Sequence, residues 1–128
     1  MRNQSGFTLV ELLTVILIIG LLAVIALPRF VNTREKAYYS AMRSDLRNLA
    51  TAEEDYFAAN LTYTTDLGLL ETYQTSKRIL VTVPEATDKG WRALATHEIA
   101  TDLECEIYYG TATGATLATK EGGVYCNN

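Results

Sequence analysis

Glu11 is the residue whose chemistry most needs explaining. It sits in a stretch, Phe7 to Leu27, that is otherwise almost wholly apolar. A carboxylate inside an apolar helix costs up to about 3 kcal/mol on membrane insertion, less near the helix end. Charges kept in such places are usually paired and functional. The chemistry Glu11 offers is therefore ion pairing with a cation held in the same surroundings. Cys105 and Cys126, the two cysteines, offer a second chemistry. In a chain exported across a membrane they would be oxidised to a disulfide, closing a loop worth roughly 3 kcal/mol by chain entropy. Otherwise they stand as two free thiols. His97 is the single histidine. With no second histidine and no carboxylate cluster, it is expected to border a strand rather than hold a metal. Asn60-Leu61-Thr62 has the form of a glycosylation acceptor, a triplet that often arises by chance. The sequence holds no Ser/His/Asp arrangement, Gly-rich phosphate loop or Cys-x-x-Cys. Neither an enzyme nor a cofactor is expected.

The element that carries Glu11 admits three readings. A secretory signal peptide would have a shorter apolar run and an A-x-A site after it. A plain membrane anchor fits the length, since about 21 residues span a bilayer, but leaves Glu11 unexplained. The third rests on Gly6-Phe7-Thr8-Leu9-Val10-Glu11, preceded by a short polar leader with one Arg and followed by the apolar run. This segment resembles the processing motif of type IV pilins and pseudopilins, with no departure from the pattern. The resemblance implies that a prepilin peptidase cuts between Gly6 and Phe7 and methylates the new amine of Phe7. Glu11 then becomes the fifth residue of the mature chain. In that family the matching carboxylate of one subunit is thought to meet the N-terminal amine of a neighbour. That pairing neutralises a cation in an apolar environment, where an isolated charge is costly, and sets axial register. The alternative is a pair within the first helical turn of one chain, where Glu also favours the helix N-terminus. The bond could switch between the two on assembly.

From Phe7 to about Asn60 the pattern predicts one helix in two halves. The first is apolar all round, as a buried or membrane helix should be. The second is amphipathic, with Val31, Tyr38, Met42, Leu46, Leu49, Ala52 and Tyr56 on one face and Arg29, Lys36, Arg43, Arg47 and Glu54 opposite. Asp45 falls on the apolar stripe with no evident partner. Glu53-Glu54-Asp55 is expected to be a solvated face. Tyr38 and Tyr56 are expected in the core, and Phe30, Tyr39 and Phe57 at interfaces. Gly20 is a weak helix former, and Pro28 removes a backbone hydrogen bond. The stretch between them is the easiest to bend. The family's filaments loosen here; a simple membrane-helix kink is the alternative.

After Tyr63 the period changes. Thr64 to Ser76 reads as a loop with a short turn near Leu67 to Leu70. Segments Lys77–Val83 (ended by Pro84), Trp91–His97, Cys105–Tyr109 and Gly123–Cys126 read as strands, with Glu85–Gly90 as a turn. Trp91 is expected to fill the space between helix and sheet. Similarity to pilin helices continues through Lys36-Ala37-Tyr38, Ser44–Leu49 and Tyr56-Phe57-Ala58. The fold class is thus α+β: a long N-terminal helix packed on a small antiparallel sheet, as in type IV pilins. The expected divisions are a leader, 1–6, an apolar transmembrane and assembly helix, 7–28, and a head, 29–128. In type IV pilins a disulfide at the C-terminal end bounds a surface loop. Secretion pseudopilins often lack it and carry calcium there, and no calcium loop is evident after Cys105.

Formal net charge is -4, which argues against an electrostatic nucleic-acid binder. The resemblance implies a structural subunit that polymerises with itself as a helical homopolymer. Its partners would be prepilin peptidase, a platform membrane protein and an ATPase. The subunit would wait in the bacterial inner membrane, head in the periplasm, before entering an extracellular pilus or a periplasmic pseudopilus. Two alternatives remain: a type II secretion pseudopilin, and a minor tip pilin acting as a binding module. The second is disfavoured by the presence of Glu11.

Overall fold

An apolar run from Leu9 passes into an amphipathic stretch, and the computed structural model places one α-helix, α1, over both, at Leu9–Asn60. The structure describes residues 6–127, and the side chain of Val31 lies outside the description. The leader positions 1–5 lie outside it too, so that division is described only at Gly6. The chain falls into two units, residues 1–34 and 35–128, and α1 contributes to both. In the first unit α1 continues through Gly20 and Pro28 without leaving the helical assignment.

In the second unit α1 buries Tyr39, Met42, Leu46, Leu49 and Ala52, which recur at three- and four-residue steps. A left-handed residue, Leu61 (φ 58°), stops the helix. Its N–H donates to Phe57 O, and Asn60 Nδ2 donates to Tyr56 O, so two late carbonyls gain partners as a helix end requires. A single 3₁₀ turn follows at Leu67–Leu69, capped by Asp66, whose side chain accepts from Gly68 N.

Four strands complete the unit: β1, Ile79–Ala86; β2, Gly90–His97; β3, Glu104–Gly110; and β4, Tyr125–Cys126. They form an antiparallel sheet in sequence order. Alternate residues of β1, Ile79, Val81 and Val83, are buried, matching the period of a half-buried strand. With Trp91, Ala93, Ala95, Cys105 and Ile107 they meet the apolar face of α1 in one core. Each fully buried Leu there contributes about 1.5–3 kcal/mol.

Three expectations are corrected. Pro84 does not end β1, which runs to Ala86. β1 is an edge strand and its register shifts between Thr82 and Glu85; an edge and a bulge are where a residue without an N–H is tolerated. Tyr39 is not an interface ring: it is buried in the core, and its hydroxyl donates to Asn127 Oδ1. Phe57 stacks on Tyr63 of its own chain. Glu53 is not solvated but 0 % exposed. Its Oε2 accepts from Thr64 N at 3.0 Å, tying the chain leaving α1 back to the helix.

Candidate functional site

The first unit is distinguished by what it leaves uncovered. Every Leu, Ile and Val from Leu9 to Leu27 is at least half exposed, and Phe7 is 84 % exposed. This part of α1 is long and apolar enough to cross a membrane. Gly6, Phe7 and Thr8 precede the helix and are exposed. A Cβ added at Gly6, or at Gly20, would meet nothing within 4 Å. Packing among the described residues therefore does not demand glycine at position 6.

Glu11 is the one acid in the first turn, and its placement follows from local chemistry. Its Oε2 accepts from Thr8 N at 2.9 Å and from Thr8 Oγ1 at 2.8 Å, while Thr8 Oγ1 accepts from Glu11 N at 3.3 Å. Thr8 is the N-cap and Glu11 the third helical residue, so the two satisfy each other's orphan donors as a capping box. The spacing Thr-x-x-Glu was available in the sequence as a signal for this cap. The result is an exposed carboxylate fixed one turn from the Phe7 backbone nitrogen, on a helix whose flanking side chains are apolar. Such a group can pair with one cation and does little else.

The second unit holds the cysteines. Cys105 and Cys126 are joined in a disulfide between β3 and β4. The loop they close is organised from within by Glu106, which sequence reasoning missed. This side chain is 0 % exposed. Its Oε2 accepts from the successive backbone N–H groups of Thr116, Leu117 and Ala118 at 2.9, 2.6 and 2.9 Å. Its Oε1 pairs with Arg92 Nη1 at 3.1 Å. Burial pushes the carboxyl up, but these donors outweigh it and hold it below its ordinary value. An acid between two buried positions of a central strand was the available signal. Gly110 N, donating to Glu121 Oε1, and Gly122 N, donating to Tyr108 O, fasten the rest of the loop.

Two other acids, both on α1, are buried. Asp45, unpartnered on the sequence pattern, accepts from Ser76 N at 2.8 Å and Ser76 Oγ at 2.7 Å. The Glu53 carboxyl is pushed up, first by burial and also by Glu54, against the opposing bond from Thr64. The Tyr63 hydroxyl donates to Glu54 Oε1 and is pushed up to about 12 by burial and by that carboxylate. His97 ends β2, stacks on Tyr38 at 3.9 Å, and uses Nδ1 to accept from Ile99 N and Ala100 N. Among the described residues no group of three His, Cys, Asp or Glu could hold a metal ion.

Residues 1–27 match the family model described as the prokaryotic N-terminal methylation motif. The chain is 42 % identical over 57 residues to the type IV major pilin protein PilA of Myxococcus xanthus, covering 44 % of this chain and 26 % of that protein. It is 40 % identical over 70 residues to the type II secretion system core protein G of Vibrio cholerae, covering 54 % and 48 %. Similarity to the type IV wide pilus major component PilA4 of Thermus thermophilus is lower, 28 % over 131 positions, but takes in 100 % of this chain and 91 % of that protein. The chain thus spans half or less of the PilA and core protein G relatives. It carries the prepilin methylation motif, and its relatives are type IV pilins and secretion pseudopilins.

Proposed function

We propose that this chain is a structural subunit of a type IV pilus-like filament, cut between Gly6 and Phe7, methylated on the Phe7 amine, and assembled through the apolar half of α1. One observation carries the reading: an apolar helical segment of membrane length lies bare, while the head has a core of its own. Water cannot be its final solvent, because exposed contiguous apolar surface of this extent marks a membrane or protein contact. A bilayer covers it before assembly, and the helices of other copies cover it afterwards. Glu11 supplies the counter-charge for a Phe7 amine and thereby fixes register between copies. The stretch between Gly20 and Pro28 supplies bending freedom.

The route requires prepilin peptidase, a platform protein and an ATPase, with the head on the periplasmic side. The match to PilA4 across the whole chain supports a pilus. The similarity of the first half to core protein G supports a second reading, a secretion pseudopilin acting as a short piston. Extended surface filaments favour the first; a secretion defect on deletion, without such filaments, favours the second.

The test is the N-terminal mass of subunits sheared from cell surfaces. The expected product begins at Phe7 and carries one added methyl group. Intact leader on all surface material would overturn the processing assignment.

A further inference from the structure

The head has two patches of opposite charge that its own contacts do not neutralise. Lys36, Arg43 and Arg47 lie at steps of seven and four along α1, on one flank of the helix, with Lys36 and Arg47 exposed and Arg43 half-buried. Among the described residues of the head the one ion pair is Arg92–Glu106, so none of these three cations has a carboxylate partner there. Glu54 continues this row, and its carboxylate is engaged by the Tyr63 hydroxyl. The other flank of α1 lies roughly 100–160° around the helix at about 100° per residue. There a cavity of about 370 Å³ opens between the last turns of α1 and the segment after the 3₁₀ turn. Ala52, Tyr56, Leu69 and Leu70 give it an apolar floor, and Asp55 and Glu71 stand at its rim. Both acids are exposed and have no ion-pair partner.

Apolar floor and acidic rim suit a long cationic side chain, whose methylenes cover carbon while its head group meets carboxylate. We infer that the basic row of one copy, led by Arg43 and Arg47, docks into the Asp55–Glu71 groove of a second copy. The inference rests on the filament reading above and specifies how neighbouring heads meet. The two patches are different surfaces on opposite flanks of one helix, so the contact is heterologous. Each docking leaves one basic row and one groove free, and the contact propagates rather than closing at a dimer unless its rotation forms a ring. Polymer growth then has an electrostatic component in the heads, weakened by salt.

Charge reversal and cross-linking test this in the full chain. Arg43→Glu with Arg47→Glu should reduce filament yield about tenfold or more by setting like charges face to face. Asp55→Lys with Glu71→Lys should do the same. The fourfold variant, which restores opposite charges, should regain most of the yield. Separately, a chain carrying Arg47→Cys and Asp55→Cys should give an oxidised ladder of trimers and higher species in sheared filaments, where either cysteine alone gives none. Undiminished filaments from both reversals overturn the inference, as does loss without recovery in the fourfold variant while the head melts normally. A ladder that stops at dimers, or none from intact filaments, also overturns it. If the unaltered chain forms no polymer, the filament reading itself fails, and a cross-link result is not needed to show it.

Discussion

The two units of this chain treat polar and apolar groups in opposite ways. In the first, apolar side chains are bare and the one acid among them, Glu11, is met only by Thr8. In the second, the apolar side chains facing between helix and sheet are covered, while Leu61, Leu69, Leu80 and Ile99 stay exposed, and the buried acids Asp45 and Glu106 accept two and four hydrogen bonds. The head thus has a core of its own, and the N-terminal unit has none. Stability and assembly are carried by different residues, so it should be possible to damage either alone.

The largest effect on the head is expected from Glu106→Ala. It strands a partly buried guanidinium and three backbone N–H groups, and should cost about 3–5 kcal/mol. Thermal or denaturant melting of the full chain in detergent would read it, with membrane insertion unchanged. Loss of insertion as well would break the division. Next comes Cys105→Ser with Cys126→Ser, which removes a link across a sequence separation of 21 and should cost about 3 kcal/mol. Asp45→Ala should cost about 1–3 kcal/mol, because the Ser76 N–H and hydroxyl lose their acceptor.

The pH profile sharpens the picture inside the head. The Glu106 carboxyl is held below its ordinary 4.5. Its contribution is present above that value and is lost as pH falls through the lower folded value. Glu53 runs the other way. Its carboxyl is pushed above 4.5 by burial, so stability falls as pH rises from 4.5 through the folded value. Glu53→Gln keeps an acceptor for Thr64 N and should raise the melting temperature modestly at neutral pH while leaving it little changed at pH 4. No change between the two pH values would contradict the assignment.

Legibility in the sequence followed the range of the interactions. The apolar run, the amphipathic stripe, the turn near Leu67 and the strand centres are local periodicities, and each could be read directly. The processing segment is likewise contiguous, from Gly6 to Glu11. Glu106 was hidden because its partners, Thr116 to Ala118, lie ten to twelve residues away in a loop with no pattern of its own. Asp45 could be marked as anomalous, but Ser76 is 31 residues distant. Glu53 reads as solvated because two exposed acids follow it; only the path of Thr64 shows that it faces inward. Pro84 reads as a stop because an edge position cannot be known before strand order is.

Assembly depends on the charge of Glu11 rather than on its role in the helix cap, and Glu11→Gln separates the two. Glutamine keeps the capping-box hydrogen bonds and removes the counter-charge for a Phe7 amine. Filaments should be lost or sharply reduced in cells making this variant, with processing at Phe7 and head melting as in the unaltered chain. Filaments of ordinary number and length from Glu11→Gln would contradict the account.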